Sequence, residues 1–385
     1  MAVRNVCRQM RQHALPDAAE AGFCLKFSPS ASHPDKRGSR YAALTAAAAA
    51  AWLSLYPWAE AQADDAPSYT EIGQYHGEFT AKDGEIFSYL PDAGNFEGPG
   101  DKPVTPTGTD EPHNYLIELN GTHLTATGTD SSGLNPSELR ILNSDEGTVS
   151  TNNLTYYTGS SAYAAGGGSI TFVRSRLRAD NNIFDFTGTE LSASGSAHSV
   201  PDGHEPIFSS LTFVDSLQGA SGNNAVTMNN GSQNSSVTLK GGASAVFVSG
   251  AAGAASNTIT LKGTALSAEG VSEGGCVYGG ITLVRSSEGS VSGSTLTVNT
   301  ATLKATGGTA IDFVSRASGA VSNTITLNET NLSAEGVSED GNVYGGISLV
   351  SSADGSVSGS TLEINTATLR VTDGASVHFI PVFRS

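Results

Sequence analysis

The densest group of side chains capable of chemistry lies in SGSAHSVPDGHEP, residues 194–206, which gathers His198, Asp202, His204 and Glu205 within eight positions. Imidazole nitrogens and carboxylate oxygens are zinc ligands, so this cluster permits a weak metal site. The spacing matches no fixed zinc motif, and a polar, Pro-containing surface loop accounts for the same residues more simply. The loop is therefore a candidate binding site, with no metal and no cofactor assigned.

A nucleophile is harder to find. The sequence Gly289, Ser290, Val291, Ser292, Gly293 resembles a nucleophile elbow but puts Val291 where serine would act, and the copy at Gly355 to Gly359 does the same. HExxH, P-loop, GxGxxG and calcium-nonapeptide patterns are absent from the sequence. The remaining carboxylates recur at equivalent places, Glu269 with Glu335 and Glu288 with Asp354, which is the mark of solvated turns. The expectation is a protein that is not an enzyme.

The elements that carry these residues follow from an internal repeat. Residues 256–308 recur at 322–374 with a constant offset of 66 and no gap. Each unit divides again, because the segment after Val284 aligns with that after Val314. Leu142, Val173, Val214, Val248, Val284, Val314, Val350 and Ile380 mark successive units of mostly 30 to 36 residues. Inside a unit three stretches alternate with period two. Ile281 and Leu283 oppose Thr282, Leu296 and Val298 oppose Thr297, and Ala301, Leu303 and Ala305 oppose Thr302 and Lys304. Such stretches are half-buried strands separated by Gly, Ser and Asn turns. A single unit cannot bury its apolar side, but stacked units bury all of them behind one wall. The expected fold is all-β, a right-handed parallel β-helix with about three strands per coil over residues 114–385, ending in an unfinished coil.

Upstream, Lys36, Arg37 and Arg40 precede an apolar run from Tyr41 to Leu55, and Ala61, Gln62, Ala63 form a small-x-small cleavage site. Residues 1–63 are read as an extended signal peptide cut after Ala63. Residues 64–113, Pro-rich and without the repeat, are read as an N-terminal cap or linker. The segment 1–63 holds 7 of the 20 Lys and Arg and 4 of the 37 Asp and Glu, so its loss leaves 13 against 33, a net of 20 negative charges. Clustered Lys and Arg, which phosphate binding needs, are lacking, so nucleic acid is not an expected partner. Cys7 and Cys24 leave with the signal, and Cys276 then has no partner for an internal disulfide.

The signal with its long leader, the acidic body and the Ser/Thr/Gly/Asn repeats with ITL, SLV and TLTVN strands resemble the passenger domain of a Gram-negative autotransporter, the type V secretion class. That resemblance implies export to the cell surface or medium through the periplasm, and a role as an adhesin or display rod meeting host-cell or matrix surfaces. The family's C-terminal translocator barrel, its means of holding to the outer membrane, is not among these residues. Self-association through the apolar last coil at Val377, Phe379 and Ile380 is expected. Two alternatives stand beside this reading: a carbohydrate-active β-helix enzyme of the lyase or hydrolase kind, and a non-functional truncated fragment of an autotransporter.

Overall fold

The computed structural model describes residues 70–74, 77–82, 85–88, 115–119, 121–129, 131, 133–144, 146–156, 159–197, 206–273, 276–339, 342–352 and 356–378. The proposed signal peptide, residues 1–63, lies outside them. Among the described residues every regular element is a strand.

Each coil lays one strand into each of three nine-stranded parallel sheets, and most coils add a short strand to a seven-stranded fourth. Sheet I runs from Thr70–Gln74 to Thr361–Asn365, sheet II from Gly77–Lys82 to Thr368–Thr372, and sheet III from Ile86–Ser88 to Ser376–His378. Sheet IV holds strands of two or three residues, from Thr148–Ser150 to Val357–Ser358. The chain is thus a parallel β-helix. The unit markers are sheet III partners: Leu142 pairs with Val173, Val173 with Val214, Val214 with Val248, and so on to Val350. Leu266, Leu303, Leu332 and Leu369 form the matching row in sheet II.

Two features differ from the expectation. The ladder begins well before residue 114, because Thr70–Gln74, Gly77–Lys82 and Ile86–Ser88 pair in parallel with the first strands after it. Three strands of a first coil, one each in sheets I, II and III, therefore lie within the segment read as cap or linker. The fourth sheet was also not anticipated, since its two- or three-residue strands are too short to show a period.

The interior follows from the alternation. Strand Thr295–Asn299 buries Leu296 and Val298 and turns Thr295, Thr297 and Asn299 outward, and the neighbouring coils repeat this. Each fully buried Leu, Val or Ile stabilises by roughly 1.5–3 kcal/mol relative to exposure. The broad middle of the stack is filled by rings: Phe172 stacks on Phe213 at 5.5 Å and Phe213 on Phe247 at 4.4 Å, with Phe186 edge-on to Phe172 and Phe213 at 5.1 Å. Tyr156 joins them, its hydroxyl donating to the Thr122 carbonyl at 3.0 Å, and burial pushes its phenol above the usual range.

The corner from sheet IV to sheet I shows how polar residues enter such a core. One residue turns the chain in the left-handed region, as at Asn181 (φ 56°), Asn223 (φ 52°) and Ser256 (φ 55°). The next residue, Asn182, Asn224 or Asn257, points inward and is wholly buried. Its amide is satisfied by the coil above and below. Asn182 Nδ2 donates to Asn224 Oδ1 at 3.0 Å, and Asn224 Nδ2 donates to Asn257 Oδ1 at 3.1 Å and to the Ala179 carbonyl at 2.7 Å. Oδ1 of Asn224 and of Asn257 also accepts the backbone N–H of the preceding ladder asparagine at 3.0 Å. A buried polar group so completely paired carries little desolvation cost and pins each coil to its neighbour.

Candidate functional site

The corner from sheet II to sheet III varies most. In alternate coils it is a tight glycine turn, at Gly166–Gly167, Gly241–Gly242 and Gly307–Gly308, all at positive φ. In the coils between, the chain leaves the ladder and returns. Val271–Glu273 pairs antiparallel with Cys276–Tyr278, and Val337–Glu339 with Asn342–Tyr344. Single antiparallel bridges close the two earlier excursions, Thr129 with Pro136 and Ser196 with Phe208. The 66-residue period is therefore one hairpin coil plus one glycine coil, which accounts for the uneven units of 36 and 30.

The glycines are required by the hairpins. A Cβ on Gly308 would lie 2.3 Å from Val337 Cγ1 and 3.3 Å from Tyr344 Cβ, and one on Gly242 would lie 2.6 Å from Phe208 Cε1 and 2.7 Å from Val271 Cγ1. Each excursion thus leans over the bare turn of a neighbouring coil. Across that turn Phe208 and Tyr278 stack at 4.6 Å and 24°. Along this edge the protein carries a row of protrusions two coils apart.

His198, Asp202, His204 and Glu205 all belong to the second excursion, and all four lie outside the described residues. Its root is described: the Ala197 N–H donates to the Ile207 carbonyl at 2.8 Å. Of the recurrent carboxylates, Glu269, Glu288 and Glu335 are exposed, as turn or edge residues should be, and Asp354 lies outside the described residues. No group of three or more His, Cys, Asp or Glu among the described residues is placed to hold a metal.

One carboxylate departs from this pattern. Asp180, in the sheet IV strand Arg178–Asp180, is half-buried; desolvation raises its pKa, while Arg178 and the Gly222 N–H act in the opposite sense. Its Oδ2 accepts from Arg178 Nε at 2.8 Å, and its Oδ1 has no hydrogen-bond partner. The arginine is largely exposed and offsets only part of the burial. Cys276, in the second strand of its hairpin, is disulfide-bonded.

The outward faces of the sheets differ in chemistry. Sheet II presents charges of alternating sign, with Glu269, Lys304, Glu335 and Arg370 exposed on successive strands. Sheet I over the same coils presents Thr260, Thr297 and Thr326 in one row and Asn299, Asn328 and Asn365 in the next. The asparagines are linked, Asn328 Nδ2 donating to Asn299 Oδ1 at 2.6 Å and Asn365 Nδ2 to Asn328 Oδ1 at 3.0 Å. Sequence reasoning identified the threonines as outward but not this grid of Thr and Asn, bounded by Lys262 at one end and Glu363 at the other, although TITLK, TLTVN, TITLN and TLEIN at matching offsets carry it.

No protein-family model, no curated protein and no solved structure matches this chain.

Proposed function

We propose that this protein is an exported, passenger-type β-solenoid that works by adhesion or display at a cell surface rather than by catalysis. The observation that carries the reading is the construction of the stack: the coils repeat in register, their inward positions are filled by packed apolar side chains and ladder amides, and their outward positions repeat as extended rows. Such a surface suits a partner that is contacted many times weakly, because repeated contacts add up without any single strong one. The protruding edge row and the Thr and Asn grid of sheet I are the two surfaces offered to it.

Export through the N-terminal segment and cleavage after Ala63 belong to the same proposal, as does self-association of this chain through its last coil. There Ile364, Leu369 and Val371 are 47%, 40% and 39% exposed, whereas their counterparts Leu327, Leu332 and Ala334 one coil earlier are at most 3% exposed. The test is retention of purified protein on host cells and extracellular matrix, run beside assays for glycan and peptide cleavage. Binding without turnover is expected; polysaccharide cleavage abolished by Asp202→Asn or His204→Ala would overturn the reading.

A further inference from the structure

Resting on the adhesion reading, we propose that the outward face of sheet I from Thr258 to Asn365 docks a neutral, extended β-linked polysaccharide lying along the stack. The first argument is charge. The protein carries a formal net charge of -17, yet the outward positions of these four strands hold one lysine and one glutamate, Lys262 and Glu363. A polyanionic glycan would be repelled by the body of the protein, and an uncharged one would not.

The second argument is periodicity. The four strands pair without a bulge, so equivalent side chains recur at the coil rise of about 4.8 Å, and the Thr and Asn rows stand about 6.6 Å apart along each strand. A pyranose in an extended β-linked chain advances by nearly the same step as one coil. A glycan laid along the stack therefore meets a threonine of the row Thr258, Thr295, Thr324 and Thr361 at every coil, and the full Thr–Asn set at the two middle coils, Thr297 with Asn299 and Thr326 with Asn328. Each set is of the right kind: a threonine hydroxyl that can donate and accept, a threonine methyl against the ring's C–H face, and an asparagine amide.

The third argument is preorganisation. The asparagine side chains are held by one another across coils; Asn328 keeps a further donor and acceptor beyond that chain of bonds, whereas Asn365 spends its second N–H on Glu363 Oε1 at 2.9 Å. Little side-chain freedom remains to be lost on binding. Affinity then grows with the number of coils engaged, so long chains bind and short oligosaccharides do not.

The test uses the full chain in pull-downs with cellulose and chitin as neutral probes and polygalacturonate as the charged one. Wild-type protein is expected to be retained on at least one neutral polymer, with little change on adding salt. Thr260→Val, Thr297→Val and Thr326→Val combined, which remove the hydroxyls and keep the shape, are expected to lower retention at least tenfold while circular dichroism stays unchanged. Ser267→Ala with Ser333→Ala on sheet II is expected to leave retention as it was. Equal retention of the sheet I triple variant, or retention on polygalacturonate alone, would overturn the proposal. So would shaping of ice crystals without polysaccharide retention, which would reassign the grid to a water lattice. If cells bind and no neutral polymer does, this inference fails and the adhesion reading stands; if neither binds, both fail.

Discussion

Replacing Asn224 by alanine should cost about 4 kcal/mol, although the residue is uncharged and lies at a corner. Asn224 is wholly buried and its amide makes four hydrogen bonds: Nδ2 donates to the Ala179 carbonyl and to Asn257 Oδ1, and Oδ1 accepts from the Asn182 backbone N–H and from Asn182 Nδ2. Two of the partners keep a second bond, since Asn257 Oδ1 still receives the Asn224 N–H and Asn182 Nδ2 still donates to Val149. The Asn182 N–H and the Ala179 carbonyl lose the bonds that Asn224 supplies. Each buried polar group left unpaired costs about 1–3 kcal/mol, and a small void adds to the sum. Asn224→Ser should recover roughly half, because Ser294 occupies the same ladder position and its hydroxyl accepts the Asn257 N–H at 3.3 Å. The adjacent Asn223→Ala, exposed and at φ 52°, should cost only about 1 kcal/mol through its left-handed backbone. Urea unfolding of the three variants, with hydrogen exchange across the coils of Asn182 and Asn257, measures this. An Asn224→Ala protein within 0.5 kcal/mol of wild type would refute the view that the ladder holds the corners.

Leu332→Asp should destabilise by about 4 kcal/mol or more, since Leu332 is 3% exposed between Leu303 and Leu369 and a carboxylate there has no partner; urea midpoints check it. Gly308→Ala should cost more than Gly128→Ala, because both have positive φ but only at Gly308 does the added carbon meet a neighbour; thermal melts of the pair decide this. Asp180→Asn should gain stability over wild type as pH rises. The raised pKa means that the folded state holds the proton more tightly, so ionisation above the ordinary carboxylate value disfavours folding, while below it both states are protonated and the effect vanishes. Urea midpoints for the two proteins at about pH 3 and pH 7 give the sign, and a difference shrinking with pH contradicts it. Mass spectrometry of exported protein should find Asp64 at the N-terminus; peptides from residues 10 to 55 there would refute the signal assignment.

The stack was legible because its signals are inward positions that repeat. Val173, Val214 and Val248 each needed only to be apolar and equivalent, and their pairing follows from the offset alone. The corners were not, because Asn182, Asn224 and Asn257 read as ordinary turn formers; nothing local distinguishes a solvated asparagine from one whose amide is paired across coils. The coil within residues 70–88 was missed because it lacks the repeat's residue pattern and is recognised only by the strands it pairs with. The alternation of hairpin and glycine turn was present in the 36- and 30-residue spacings, yet its cause, the collision a side chain on Gly308 or Gly242 would have with the overhanging hairpin, exists only in three dimensions. The candidate loop of His198, Asp202, His204 and Glu205 is placed no further than its root, at the edge where the excursions leave the stack.

The central claim is that equivalent residues of successive coils lie side by side in one register. Paired spin labels test it directly, because Thr297 and Thr326 are 29 positions apart in sequence but face each other across neighbouring strands of sheet I, while Thr260 and Thr326 are two strands apart. The first pair should show strong dipolar broadening at a backbone separation of about 5 Å and the second a weaker coupling at about 10 Å. Equal or absent broadening in the two pairs would contradict the in-register stack and everything built on it.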